Sequence, residues 1–237
     1  MNLSVSDITP DEIRLFGDII VQLEELGPNL DVRGVMLPAI TQLIRADFAA
    51  SFDYDDKTNL WHNGFSYNVD KSLVTRYESW FQHNDPMTVQ LCERRVATFV
   101  EEVISRRALE HTEFYNDFLR REGMHHGINV YSFEGQTHVG DLRIWRAKGR
   151  PDFSEREKIL LNGIEPFFRR ALTRQRRSSA GLTDRENDVA RLVAAGYTDK
   201  EISRTLGIEL STVRTHLRRV MAKKGVTNRA KLAAAIA

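Results

Sequence analysis

Hydrophobic residues recur along the chain with two different spacings, and each spacing predicts a different kind of secondary structure. Hydrophobic residues that recur three or four positions apart predict helices over residues 9–27, 31–45, 69–93 (in two pieces, broken at 84–86), 112–121 and 153–175. Alternation predicts strands over residues 48–54, 59–65, 97–100, 127–133 and 138–146. Strands joined by hairpins, with helices before and after them, predict an α+β fold in which an antiparallel sheet lies within an α-β-α sandwich.

Two of these predicted helices begin with a complete capping box, in which a side chain and a backbone amide exchange hydrogen bonds. Thr9 and Glu12 form the first box around Pro10, and Ser154 and Glu157 form the second. The residues that we expect the two helices to bury are Ile13, Phe16, Ile19, Ile20 and Leu23, and Ile159, Leu160, Ile164, Phe167 and Phe168.

From residue 182 onwards the pattern is helical throughout and predicts four short helices. Capping boxes at residues 183–186 and 198–201 open the first two, and Gly207 ends the second. The third helix follows within residues 208–224, and Thr227 can cap the fourth. Two helices joined by a tight glycine turn are typical of the helix-turn-helix, so we predict an all-α, four-helix domain of that type.

The third helix of this domain has two chemically different faces. Its hydrophobic stripe consists of Val213, Leu217, Val220 and Met221. The opposite face carries Arg214, Thr215 and Arg218, with Arg219 near its edge. A basic face suits the major groove of DNA, where arginine can donate two hydrogen bonds to guanine. Taken alone, the segment fits a solvated amphipathic helix better than a DNA-reading helix, but the helices before it favour DNA binding.

Charge is distributed very unevenly, although the net charge is only +1. Residues 169–237 hold 16 Lys and Arg against 6 Asp and Glu, a charge of +10, and the preceding 168 residues carry −9. A basic end on an acidic body indicates that one end alone meets a polyanion. We therefore predict an α+β domain over 1–173, a basic and polar linker over 174–180, and the helix-turn-helix domain over 181–237.

Several classes of function find no support in the sequence. The histidines lack metal-ligand spacing, and no catalytic constellation or glycine-rich phosphate loop occurs, so we expect no metal, no cofactor and no enzyme activity. Cys92 is the single cysteine, which favours a reducing compartment. The chain also has no apolar run of membrane-spanning length and no signal-peptide pattern, so we expect a cytoplasmic protein without a membrane partner.

Several short motifs in the helical domain occur together in one register. These are the segments 182–186, 195–202, 206–208, 212–216 and 224–226. In this register the domain resembles the LuxR-type DNA-binding domain. The resemblance implies that the third helix enters the major groove, with base-edge candidates Arg214, Thr215 and Arg218 and backbone candidates Thr212, His216, Lys200 and Lys223. One departure is Glu209, where the family usually has a capping serine.

A single module of this kind meets about half of a DNA site, so specific binding usually needs two copies on a two-fold operator. The expected partners are therefore double-stranded operator DNA, a second copy of the chain in a homodimer, and the transcription machinery.

The N-terminal region resembles, less closely, the autoinducer-binding domain of quorum-sensing LuxR proteins. The anchors are Tyr77, Asp85 followed by Pro86, Phe114 followed by Tyr115, and the segment 123–127. The resemblance implies that Asp85 accepts a hydrogen bond from the amide of an acyl-homoserine lactone and that Tyr77 bonds its acyl carbonyl. An apolar pocket around such a polar pair would be lined by Trp61, Phe65, Trp80, Phe99, Tyr115 and Leu73.

Leu73 is also the main departure from this family, because it stands where a tryptophan normally donates to the lactone carbonyl. Phe99 stands near the position of a second tryptophan. The ligand can therefore be a lactone or a related quorum-sensing or metabolite signal.

Two alternatives also stay open: Asp85 and Pro86 can simply start a helix, and the domain can serve dimerisation or partner docking without any ligand. Regulation by phosphorylation is a weaker alternative, resting on Asp53, Asp55 and Asp56.

Overall fold

A computed structural model describes residues 8–27, 30–55, 58–179 and 182–236, apart from the side chains of residue 71 and residues 177–179. The chain divides into two compact units. The first comprises Met1–Glu25 and Val32–Leu172, and the second comprises Leu26–Asp31 and Thr173–Ala237. No helix within the described residues is long and apolar enough to cross a membrane.

The first unit is built around a five-stranded antiparallel sheet, which confirms the predicted fold class. The strand order is β2-β1-β5-β4-β3. The strands are β1 (Phe48–Asp55), β2 (Leu60–Tyr67), β3 (Thr98–Phe99), β4 (Met124–Glu134) and β5 (Thr137–Ala147). All five coincide with predicted strands, although β3 is only two residues long.

Helices cover both faces of the sheet. They are α1 (Pro10–Glu25), α2 (Val32–Leu43), α3 (Lys71–Ser79), α4 (Thr88–Arg94), α5 (Arg106–Glu110) and α6 (Glu155–Ser179). On β5, Gly140 lies against α6, where an added Cβ would come within 2.4 Å of Leu172. Because successive strand residues point to opposite faces, Asp141, Arg143 and Trp145 point to the other face, towards α3 and α4.

The first predicted capping box of this unit is complete, and the second is half formed, because the Glu157 N–H bonds the Ser154 carbonyl and not its hydroxyl. Thr9 N–H donates to Glu12 (2.9 Å), and Ser154 N–H donates to Glu157 (2.7 Å).

One expected buried position in each of these two helices is wrong. Ile13 is 59% exposed and Ile159 is 45% exposed. Ile13 lies at the edge of its apolar stripe, whereas Ile159 lies on the face of its helix opposite the buried Leu161 and Phe168.

The segment between β2 and β4 departs most from the prediction. The break at 84–86 is present, between a 3-10 helix at Phe81–Asn84 and α4. The predicted helix over 112–121 is a π-helical turn at Phe114–Leu119, and α5 was not predicted. Four of the six residues of that turn are buried, so their packing into the core sets the backbone geometry more strongly than the helical pattern does.

The predicted linker is largely helical. Helix α6 continues to Ser179, so the segment 174–179 belongs to the helix, and residue 180 lies outside the described residues. Arginine and glutamine have high helix propensity, and a stretch without an apolar pattern can therefore extend an existing helix.

The second unit contains the four predicted helices, α7 (Asp184–Ala194), α8 (Asp199–Leu206), α9 (Leu210–Lys223) and α10 (Arg229–Ile236). Both capping boxes form, and Gly207 adopts a positive φ of 61° at the end of α8. One expectation is wrong: Asn228, not Thr227, caps α10, where Lys231 N–H donates to its Oδ1 (2.8 Å). The buried core is Val189, Ala190, Val193, Ile202, Val213, Leu217, Val220, Leu232 and Ile236.

Candidate ligand site and DNA-binding surface

Tyr77 and Asp85 lie together in the hydrophobic core between the sheet and α3. The Tyr77 hydroxyl donates to Asp85 Oδ2 (3.1 Å) and accepts from Arg143 Nη1 (2.5 Å). Tyr77 is 2% exposed, and burial raises its pKa well above the ordinary value. The hydroxyl therefore keeps its proton and acts as a donor to the carboxylate.

Asp85 also bonds the backbone at the start of α4, two residues before the N-cap Met87, so the simpler alternative raised by its sequence describes part of its role. Its Oδ1 accepts from the backbone N–H groups of Met87 (3.0 Å) and Thr88 (2.9 Å). Its Oδ2 accepts from Tyr77 and from the Thr88 hydroxyl (2.6 Å). A carboxylate has about four acceptor sites, and all four are in use. As it stands, the carboxylate has no site left for a ligand amide.

Arg143 is the central charged group of this core, and no sequence motif points to it. The side chain is 5% exposed and donates through Nε to Asp141 (2.8 Å). Its guanidinium carbon lies 4.7 Å from the ring centre of Phe52 and 4.5 Å from that of Trp61. Burial opposes its charge, but the facing Asp141 and tyrosine hydroxyls hold the pKa of Arg143 well above its ordinary value.

A small inner cavity of about 30 Å³ lies beside this group. Its sheet side is formed by Ala50, Asn129, Arg143 and Trp145, and its helix side includes Leu73. A second, larger cleft of about 400 Å³ is lined by residues of β1, β2, α4 and the β4–β5 hairpin, among them Trp61, Cys92 and His138. Asp85 and Thr88 line both, so these two side chains form a wall between the cleft and the inner cavity.

Four residues that the sequence analysis assigned to the pocket lie away from both cavities. Trp80 is 56% exposed, and its indole N–H donates to Glu113 (3.2 Å). Phe65 pairs with Ser51 across β1 and β2, so it points to the sheet face opposite Phe52 and packs near Gly34 of α2.

The other two are held by different groups. Phe99 lines a separate cavity of about 140 Å³, and the Lys158 ammonium lies 4.1 Å from the centre of its ring. Tyr115 is buried, but its hydroxyl bonds His125 Nδ1 (2.7 Å). An aromatic residue type gives no information about which sheet face or helix side it occupies, and the structure places these four side chains outside both cavities.

Helix α9 presents the basic face that its sequence predicts. Val213 and Leu217 are buried, whereas Arg214 and Arg218 are exposed. The Arg214 side chain is 66% exposed, and its Nε lies 3.8 Å from Asp199 Oδ2 at the start of α8. Thr212, Thr215 and His216 are half-buried, and Lys200 is exposed on α8.

Two features of this surface bear on how it can contact a polyanion. The Thr215 hydroxyl donates to the Ser211 carbonyl (3.0 Å), so it is held against its own helix. Lys223 Nζ lies 2.5 Å from Glu186 Oε2. The hydrogen bond from Lys223, followed by the Thr183 backbone N–H, lowers the pKa of Glu186 to about 2. Lys223 is therefore tied to the capping box of α7.

Residues 180–236 match the family described as "Bacterial regulatory proteins, luxR family". The chain is 25% identical over 197 residues to the monoamine regulon transcriptional regulator of Klebsiella aerogenes, which covers 83% of this chain and 86% of that protein.

Two solved structures have a similar fold. SdiA in complex with octanoyl-rac-glycerol matches with a TM-score of 0.53 and 17% identity, over 96% of this chain and 95% of that one. The GAF domain of a phosphoenolpyruvate-protein phosphotransferase from Coxiella burnetii matches with a TM-score of 0.54 and 14% identity, over 71% of this chain and 96% of that one.

Residues 180–236 therefore form a helix-turn-helix domain of the luxR family of bacterial regulatory proteins. The relative that aligns with most of the chain is itself a transcriptional regulator.

Proposed function

We propose that this regulator senses a small molecule with its N-terminal domain and that two copies of the chain bind operator DNA through α9. The observation that carries the proposal is the cleft of about 400 Å³, which ends at Asp85 and Thr88 beside the buried network of Tyr77 and Arg143. Its volume lies within the range of small-molecule sites, about 300–1,000 Å³. A ligand there would bias dimerisation or the orientation of the two DNA-binding domains.

The chemistry of the cleft leaves an acyl-homoserine lactone as one of several ligands to test. Leu73 cannot donate to a lactone carbonyl, and the four acceptor sites of Asp85 are occupied within the protein. The Klebsiella aerogenes relative is named for a monoamine regulon, so monoamines belong in the same panel. The cleft includes the rings of Tyr54, Trp61 and Phe133, which suit a ligand with an apolar or aromatic body.

A ligand-independent regulator is the second candidate, and the inner cavity favours it. A volume of about 30 Å³ is far below the size of a small-molecule site, so the core beneath the cleft is largely filled. In that case the N-terminal domain would serve dimerisation or partner docking only.

Purification from a host without quorum signals, followed by mass spectrometry and thermal shift with lactones, amines and a cell extract, separates the two candidates. We expect at least one compound to raise the melting temperature. If no compound is retained and neither the panel nor the extract shifts the melting temperature, the ligand-independent regulator is the correct function.

For DNA, we expect Arg214→Ala and Arg218→Ala each to weaken specific operator binding by roughly 5- to 150-fold, the equivalent of about 1–3 kcal/mol per base contact. Both side chains are exposed, so the melting temperature should change little. Lys231→Ala, on the exposed surface of α10, is the matched control. Operator affinity equal to that of the parent in both arginine variants would show that α9 does not read the DNA.

A further inference from the structure

Two buried polar atoms that line the inner cavity have no hydrogen-bond partner among the described residues. They are Arg143 Nη2 and Asn129 Oδ1, and the two residues are 5% and 2% exposed. Arg143 uses Nε on Asp141 and Nη1 on Tyr77, which leaves the Nη2 donors unused. A buried polar group without a partner costs about 1–3 kcal/mol. Such groups are rare in folded proteins and need an explanation.

The two residues are direct neighbours in the sheet. Asn129 of β4 pairs with Arg143 of β5, so their side chains stand side by side on the face that forms the inner cavity. On the other side Arg143 pairs with Ala50 of β1, whose small side chain leaves room next to the guanidinium. One ligand group in this cavity can therefore reach an unused donor and an unused acceptor at the same time.

Charge narrows the chemistry of that group. The charged side chains that line the inner cavity are Asp85 and Arg143, and Arg143 is already paired with Asp141. The site and its immediate surroundings thus hold two carboxylates, Asp85 and Asp141, against one guanidinium, Arg143. Adding an anionic group here would place a further uncompensated charge in a buried environment, which is strongly unfavourable. A neutral group that both accepts and donates fits without that cost.

We propose that the sensor domain recognises an uncharged ligand with a carboxamide or lactam head. The carbonyl oxygen of the head accepts from Arg143 Nη2, and its N–H donates to Asn129 Oδ1. The volume of about 30 Å³ matches a head group only, so the body of the ligand extends past Asp85 and Thr88 into the larger cleft. This inference rests on the proposed sensor function and names the class of its ligand.

The test uses the full-length protein with benzamide and 2-piperidinone as probes and with benzoate as the charged counterpart of benzamide. Binding is measured by calorimetry and thermal shift. We expect both amides to bind and benzoate to bind at least tenfold more weakly. Asn129→Leu keeps the volume but removes the acceptor, and it should weaken amide binding about tenfold, the effect of one hydrogen bond.

Ser132→Ala is the matched control, because Ser132 lies on the same strand, is 1% exposed and has an unpartnered hydroxyl, but does not line the inner cavity. It should bind amides like the parent. If Asn129→Leu does not fold, Ala50→Val provides the second variant, since it adds volume beside Arg143 and should block the head group.

Three results would overturn the inference: benzoate binding as tightly as benzamide, amide binding unchanged in Asn129→Leu or Ala50→Val, or no binding of either amide. A cell extract that stabilises the parent and these variants equally would show that the domain is a sensor with a different ligand. If the extract does not stabilise the parent either, that result would count against the sensor function.

Discussion

Asp85 illustrates how one residue can combine a structural role with a place in a candidate site. Its carboxylate holds the first turn of α4 through two backbone N–H groups and joins the core network through Tyr77. The wall between the cleft and the inner cavity therefore depends on the same side chain that bonds the backbone at the start of the helix.

We predict that Asp85→Ala lowers the free energy of unfolding by about 1–3 kcal/mol, because the buried Tyr77 and Thr88 hydroxyls lose their acceptor. The variant should also lose its response to any ligand that stabilises the parent, since Thr88 and Tyr77 lose a common partner. Urea unfolding and thermal shift measure the two effects. Asp70→Ala is the control, because Asp70 caps α3 through Ser72 N–H (2.7 Å) at an exposed position. A ligand response that persists in Asp85→Ala would contradict the role of this wall.

At the scale of single residues, the sequence predicts contacts that depend on short separations better than contacts across the sheet. Tyr77 and Asp85 are eight residues apart on consecutive helical segments, and their contact is present. Arg143 is 66 residues from Tyr77, and only the strand pairing brings the two together. A charged pair at 141 and 143 within an apolar strand is a signal, but without the register of the sheet it does not show which groups it meets.

Helix α9 begins without a side-chain cap, and the effect of this on stability and DNA binding can be measured. Glu209 occupies the cap position with an extended backbone conformation, yet it makes no capping hydrogen bond. We predict that Glu209→Ser stabilises the protein by about 0.5–1 kcal/mol, because serine can bond a free N–H of the first turn. The variant should also bind DNA more tightly, since a negative charge near the phosphates is removed.

Glu209→Gln separates these two effects, because it removes the charge without supplying a good cap. Denaturant unfolding and DNA titration of the two variants should show tighter DNA binding in both, but stabilisation only in the serine variant. Stabilisation by glutamine alone would mean that the charge of Glu209, and not the missing cap, weakens the helix.

The α7 capping box gives a prediction about pH. The pKa of Glu186 in the folded protein is about 2, below its ordinary value of 4.5, because Lys223 and Thr183 bond the carboxylate. A group with a lowered pKa stabilises the fold at pH values above its ordinary pKa, and this stabilisation is lost as the pH falls towards 2. Glu186→Gln should therefore melt below the parent at pH 7, and the difference should shrink between pH 5 and pH 2.

Melting curves across that range, with Lys223→Ala alongside, test the assignment. The lysine variant should show a weaker pH dependence of the same sign, because the Thr183 bonds remain. A constant difference between Glu186→Gln and the parent at all pH values would place the origin of the stabilisation elsewhere.

At the scale of elements, the capping boxes at helix starts predict the structure better than hydrophobic periodicity does. All four capping boxes named in the sequence form hydrogen bonds in the structure. The end of α6 and the π-helical turn at Phe114–Leu119 were not predicted. Helix starts are encoded by local side-chain bonds, whereas helix ends and irregular turns depend on packing with residues that are distant in sequence.

At the scale of the whole molecule, the antiparallel sheet and the helical domain follow from the hydrophobic pattern, but the shape of the interior does not. The sequence could assign aromatic residues to the core without showing which of them leave space. Whether a cavity remains depends on the balance of volumes such as Ala50 beside Arg143 and Asn129, which only the assembled sheet defines. The cleft and the inner cavity are therefore properties of the fold, not of a motif.

The uneven charge of the chain makes a prediction about salt. With +10 on residues 169–237 and −9 on the rest, DNA binding should weaken steeply as salt is raised, because each lysine or arginine on a phosphate releases counterions. Lys200 is exposed on α8 and is proposed to contact the DNA backbone. We expect Lys200→Ala to weaken specific and unrelated DNA alike and to reduce the slope of log affinity against log salt by about 1.

Fluorescence anisotropy from low to physiological salt measures this slope, and Lys231→Ala on α10 removes the same charge elsewhere on the domain. Because both variants change the net charge equally, a general loss of electrostatic attraction would lower affinity in both. Only a lost phosphate contact should change the slope in Lys200→Ala and leave it unchanged in Lys231→Ala. Equal slopes in the two variants would mean that Lys200 acts through the overall field of the basic domain and does not touch the backbone.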